Sequence, residues 1–162
     1  MAALRYSECV ICILIFKRIE KMYNLNLLGL DGEVQQTHGL NWGQNGNNHT
    51  TLDDACLVIR APEIRSNPHL FPPIEHIKTI NVVWDDGEQM NMQLEGTQTI
   101  GKLVYPKQMS VLNCKKTLGI YLKNRIGVPL GNAVTAEDLH RYGRTFIGVT
   151  LVQDVYHFNF SA

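Results

Sequence analysis

Several things are scarce in this chain. There are four cysteines in 162 residues, irregularly spaced at Cys9, Cys12, Cys56 and Cys114. That is too sparse for a small secreted disulfide scaffold. Cys9 and Cys12 form a lone Cys-x-x-Cys with no second ligand pair at zinc spacing and no βα unit after it. They read as inert thiols in an apolar run. That run, Cys9 to Phe16, falls far short of the roughly 20 residues a bilayer span needs. Lys17-Arg18-Ile19-Glu20-Lys21 follows it, where a signal peptide would need small residues for cleavage. A cytoplasmic chain with no membrane partner is expected. An excess of either charge is also missing, with 15 Lys plus Arg against 15 Asp plus Glu. Charged residues make up 19%, below the usual quarter, so the chain cannot coat nucleic acid by bulk charge. Apolar residues at 44% exclude a disordered tail. No internal repeat or low-complexity tract occurs.

Signs of catalysis are equally thin. His76-Ile77-Lys78 matches the first half of a phospholipase-D-type centre, but Val83 stands where that centre needs Asp. Neither Asp85 nor Asp86 is followed by the Glu-x-Lys of a magnesium nuclease. No glycine loop for phosphate and no Gly-x-Ser-x-Gly elbow is present. The six histidines, His38, His49, His69, His76, His140 and His157, show no i, i+4 pair, so no metal site and no cofactor are expected.

What is present is β-patterned. Tyr23 to Leu30 begins a strand, and Ala55-Cys56-Leu57-Val58-Ile59 reads as a short buried one. Pro62, Pro68, Pro72 and Pro73 suggest an irregular connection. Ile80, Val82 and Trp84 alternate before Asp85-Asp86-Gly87, and Met90, Met92 and Leu94 alternate after it, a hairpin signal. Lys102 to Tyr105 is a further short strand. Leu118, Leu122 and Ile126 space a helix that Gly127 and Pro129 end. Thr135 with Asp138 resembles a capping box, with Val134 and Leu139 as a hydrophobic staple, and Gly143 stops that second helix. Ile147, Val149 and Leu151, a turn at Gln153-Asp154, and Tyr156, Phe158 and Phe160 close the chain. About seven strands and two short helices predict a mainly β barrel or sandwich.

Two stretches carry functional information. Residues 35–51 contain no Asp, Glu, Lys or Arg and are rich in Asn, Gln and Gly. Amide side chains offer both a donor and an acceptor, so an uncharged amide loop suits the reading of base edges, whereas charge there would favour phosphates indiscriminately. Charge also divides by segment: +2 over residues 1–24, −6 over 25–90, +5 over 91–125 and −1 over 126–162. The +5 segment can neutralise phosphates locally. A plain polar loop and a solvated helix face would give the same compositions, so these signals alone also fit a β-barrel that binds a protein or small ligand, or a hydrolase centred on His76 and Lys78.

Three motifs narrow the choice. Gly39-Leu40-Asn41-Trp42-Gly43-Gln44 resembles the Ser-Gly-Leu-Asn-Trp-Gly-Gln signature of NgoFVII-type restriction endonucleases. Leu118 to Gly131 resembles their Leu-Gly-x-Tyr-x-Arg-Asn-Arg-Leu-Gly-Val-Pro-Leu-Gly segment. Val134 to Thr145 resembles their Val-Thr-x-Glu-Asp-Leu-x-Arg-Tyr-Gly-Arg-Thr. In that family a phospholipase-D-like nuclease domain is followed by a domain similar to the plant B-three pseudobarrel, which this chain matches. The resemblance implies a seven-stranded open pseudobarrel with two short helices over residues 23–162, after a leader or helix at 1–22. It implies double-stranded DNA as partner, with cleavage supplied by a nuclease domain or chain and none by this chain itself, and it leaves a homodimer open. It places an N-terminal arm at Asn41, Trp42, Gly43, Gln44, Asn45, Asn47 and Asn48. A C-terminal arm falls near Glu95, Thr97, Gln98, Thr99 and Lys102, and Arg141 with Arg144, after the second helix, suit phosphate contact and a helix C-terminal charge effect equally. Trp42 suits packing at the base of its arm better than a base contact. Asn45 stands where many members carry Arg.

Overall fold

The computed structural model describes residues 21–75 and 78–162. The first helix or leader expected over residues 1–22, its Cys-x-x-Cys, and His76 lie outside them, apart from Lys21 and Met22. Strands are β1 (Tyr23–Asn26), β2 (Leu57–Val58), β3 (Thr79–Trp84), β4 (Gln89–Glu95), β5 (Gln98–Ile100), β6 (Leu103–Tyr105), β7 (Gln108–Val111), β8 (Phe146–Val152) and β9 (Val155–Asn159). Helices are α1 (Ala61–Ser66), α2 (Lys115–Ile126) and α3 (Ala136–Tyr142), with a 3-10 helix at Gly39–Asn45. Seven strands form one sheet in the order β1-β8-β9-β3-β4-β7-β2. β3 and β9 pair in parallel and every other neighbouring pair is antiparallel. The sheet curls until β1 and β2, its two edges, come into contact, which makes it a nearly closed pseudobarrel of the expected seven strands. β5 and β6 form a separate two-stranded ribbon inserted between β4 and β7.

Period-two alternation builds the wall. Ile80, Val82 and Trp84 of β3 and Met90, Met92 and Leu94 of β4 are all buried. Their partners Thr79, Asn81, Gln89 and Asn91 are exposed, as one-face burial of a sheet requires. Trp84 meets Phe158 edge-on at 5.1 Å and Tyr121 of α2 at 4.8 Å. Leu118, Leu122 and Ile126 of α2 and Leu139 of α3 join the same core. α2 ends at Gly127, whose φ of 81° satisfies the left-handed C-cap. Thr135 and Asp138 exchange the expected capping-box bonds at the start of α3.

Among the described residues three α-helices flank the barrel, one more than the sequence pattern indicated. α1 occupies the stretch whose prolines suggested irregular chain. Pro62 stands within the first turn, where its missing N–H costs no helical bond. Glu63 accepts from the Arg60 amide at 2.7 Å. The amide-rich loop likewise contains a 3-10 helix rather than open loop, kinked at Asn41.

Candidate nucleic-acid interface

The two arms leave the barrel at different points. The N-terminal arm is the β1–β2 connection, and the C-terminal arm is the β5–β6 hairpin between β4 and β7. Buried polar ties hold the root of the first. The Asn41 side chain donates to the Val134 carbonyl at 2.8 Å and to the Gln35 carbonyl at 3.0 Å, and its oxygen accepts from the Val134 amide at 2.7 Å. Asn41 is 2% exposed, so the residue that begins the candidate site lies inside the protein. Gly43 is buried too. A Cβ there would stand 1.9 Å from the Thr51 carbonyl oxygen, and its amide donates to the Asp54 carbonyl at 2.8 Å.

The second motif grips the same loop from α2. A Cβ on Gly119 would meet the Asp53 carbonyl oxygen at 1.7 Å. Lys123, 1% exposed, donates to the Asp53 carboxylate at 2.8 Å and to the Leu52 carbonyl at 3.1 Å. The same Asp53 oxygen accepts from the Gly131 amide at 2.7 Å. Burial raises the Asp53 pKa, but the Gly131 amide and the Lys123 ammonium outweigh it and hold the carboxyl below the usual range. Gln44 spends its Nε2 on the Leu52 and Gly131 carbonyls, both at 3.2 Å. The three sequence motifs thus meet in one polar knot under the arm.

Beyond the root the arm is open. Asn45 caps its own turn, accepting from the Asn47 amide at 2.8 Å and the Thr50 hydroxyl at 3.1 Å. Asn47, Asn48 and His49 are exposed, and their side chains make no hydrogen bond among the described residues.

The C-terminal arm is a regular ladder, Gln98 opposite Tyr105, Thr99 opposite Val104 and Ile100 opposite Leu103. Gln98 ties it down by donating to the Ile59 and Pro106 carbonyls at 2.8 and 2.7 Å. Thr97, Thr99, Lys102 and Leu103 stay exposed.

Lys115 joins the roots of both arms. Its ammonium lies 5.0 Å from the Trp42 ring centroid and 2.8 Å from the Glu95 carboxylate. Trp42 is half-buried and contacts His38 edge-on at 5.1 Å, so the ring packs the base of its arm. Burial first and the Lys115 charge second lower the His38 pKa. Over this floor lies an open groove of about 470 Å³, lined among others by His49, Gln93, Glu95, Ser110, Asn113, Lys115 and Lys116. A larger hollow of about 700 Å³ at Asp31, Glu33, Gln35, Gln36 and Thr135 carries acids and no base, which suits no phosphate.

Pairing revises the basic stretch. Lys123 is consumed by Asp53, Arg125 by Asp85 and Asp86, and Lys115 by Glu95. Lys102, Lys107 and Lys116 remain exposed without an ion pair among the described residues. Arg144 is half-buried, its guanidinium 4.6 Å from the Phe146 ring and bonded to Asn159 and the Ser161 carbonyl; it fastens the C-terminal segment. Arg141 pairs with Asp138 at 2.5 Å yet stays largely exposed. The sequence places Lys107, Lys115 and Lys116 only within the +5 segment and gives His49 no place in the N-terminal arm. The signal for Lys116 and Lys107 was the local run of bases, but only the fold separates paired lysines from free ones.

Residues 14–153 match the family described as the NgoFVII C-terminal B3-like DNA-binding domain. The chain belongs to that family. The match starts inside the segment 1–22 that the sequence reading sets apart, and with the curled seven-stranded sheet it establishes a B3-like pseudobarrel and a DNA-binding domain. No curated protein matches the sequence. Among the described residues no helix of this B3-like domain is long and apolar enough to cross a membrane, and no cluster of His, Cys, Asp and Glu could hold a metal ion.

Proposed function

We propose that this domain, over residues 23–162, reads a specific double-stranded DNA sequence as the target-recognition part of a restriction endonuclease. A separate phospholipase-D-like domain or chain supplies cleavage in the cytoplasm. The observation that carries this reading is the groove between two arms whose roots share Lys115, with neutral amides at one tip and unpaired lysines beside the other. Asn45, Asn47, Asn48 and His49, with the free oxygen of Gln44, would meet base edges from the first arm. Thr97 and Thr99 would do so from the second, with the unpaired Lys102, Lys107 and Lys116 on phosphates and Arg141, already paired with Asp138, as a weaker phosphate contact. Asn41, Gly43, Trp42 and Gln98 would act by holding the arms in place.

Few free cations imply a shallow salt dependence. About three phosphate contacts give a slope of log K against log salt near −3. The test is duplex binding across a salt series. A slope near that value with preference for one selected sequence is expected. No salt-sensitive binding to any duplex would sink the reading. Lys102→Ala would weaken all duplexes alike and flatten the slope by about one. Incubation with plasmid DNA, with and without magnesium, is expected to leave the plasmid intact.

A further inference from the structure

Glu95 is the one acid in the basic segment, and it stands where a DNA-binding groove should repel it. The structure has already arranged for its charge. Its Oε2 accepts from Lys115 at 2.8 Å, from the Ser110 hydroxyl at 2.9 Å and from Gln108 at 3.4 Å. All three bonds fall on that one oxygen. Oε1 accepts none among the described residues, and the side chain remains 21% exposed on the lining of the groove. Burial raises the Glu95 pKa, but Lys115 and Ser110 overcome it and keep the carboxyl below its usual range, so at neutral pH Oε1 can accept hydrogen bonds and cannot donate them. The position is fixed as well, because Glu95 and Gln108 are register partners on β4 and β7 and Ser110 sits opposite Gln93.

We infer that the free oxygen of Glu95 reads the exocyclic amino group of a cytosine in the major groove of the target. This rests on the DNA-binding reading above. In the major groove the bases offer hydrogen-bond donors only at the cytosine and adenine amino groups, and every other polar edge atom is an acceptor that a carboxylate repels. Adenine places its N7 acceptor beside its amino group, against the carboxylate; cytosine places no acceptor there. The ion pair with Lys115 removes the penalty that a bare carboxylate would suffer between two phosphate backbones. Glu95 therefore selects by rejection as much as by attraction.

The full chain would be used to select a site from a pool of randomised duplexes. Each cytosine of the selected site is then replaced, one at a time, by a pyrimidinone nucleotide that lacks the amino group. At one cytosine the wild-type chain is expected to lose affinity roughly 10- to 100-fold. Glu95→Gln is expected to show no loss on that replacement and to accept other base pairs there. Ser110→Ala, which keeps the carboxylate but frees it to rotate, is expected to lose part of the discrimination with little change in thermal midpoint. If no cytosine replacement matters, or if Glu95→Gln weakens every duplex equally, the inference is overturned while DNA binding stands. If the wild-type chain binds no duplex at any salt, the DNA-binding reading fails and the inference with it.

Discussion

The N-terminal arm contains almost no strand, and its root hangs on side chains that reach across the molecule: Asn41 to Val134, Gln44 to Gly131, Asp53 to Lys123. The C-terminal arm is a three-rung hairpin whose own ladder satisfies its backbone, and Gln98 is its main tether. The first arm therefore depends on distant parts of the chain for its shape, while the second is a local ladder with two ties to the body, Gln98 on the Ile59 carbonyl and the Ile74 amide on the Val104 carbonyl at 3.0 Å. An irregular loop can present amides at arbitrary angles, but its backbone groups must be satisfied from elsewhere. The buried amides and glycines of the first motif do that work. Amide composition alone thus overstates how much of the loop is free to meet a ligand.

Mutation of the tethers should separate the two arms. Lys123→Ala leaves the Asp53 carboxylate buried without its cation and is expected to cost about 3–5 kcal/mol, read by chemical denaturation. Gly43→Ala forces a methyl group into the Thr51 carbonyl and should cost about 3 kcal/mol with loss of DNA binding. Asn41→Ala leaves both buried backbone groups of Val134 unpartnered, at about 2–3 kcal/mol. Gln98→Ala should cost only about 1 kcal/mol, because the ladder survives. Asn48→Ala at the exposed tip should change stability by less than about 0.5 kcal/mol while altering which duplexes are bound. If Asn48→Ala destabilised as much as Asn41→Ala, the division between root and tip would collapse.

A pH titration sharpens the same contrast. Asp53 under the first arm and Glu95 under the second both have folded pKa values below their ordinary values of 3.8 and 4.5. Their contributions are therefore complete above those values and are lost as pH falls through the lower folded ones. Denaturation midpoints should fall slightly as pH drops through the ordinary histidine value of 6.5, because His38 resists protonation in the folded state, and then drop more steeply below about pH 5. Asp53→Asn should flatten that acid limb.

Much of the fold was legible because its signals are local. Alternation around Asp85-Asp86-Gly87 gave the β3–β4 hairpin, and Thr135 with Asp138 gave the start of α3. α1 was hidden because Pro62 reads as a breaker, although a first-turn proline spares every helical bond. The Gly39–Asn45 helix was hidden under loop composition. The binding surface was harder. Arg125 meets Asp85 across 40 residues and Lys123 meets Asp53 across 70, so a linear charge count could not tell that half of the +5 segment is neutralised. The motif residues were found correctly as a family mark, yet Asn41 and Gly43 turned out to be foundations.

The link between Asn41 and Val134 spans 93 residues. On the ribosome, residue 134 emerges long after the loop it must hold. Until then the first arm has no partner for its root, and the edge strand β1 has no β8 to pair with. Contacts this distant close last and slow the search for the native state. The root of the first arm can therefore assemble only once Val134 and β8 are available, together with the closing of the barrel.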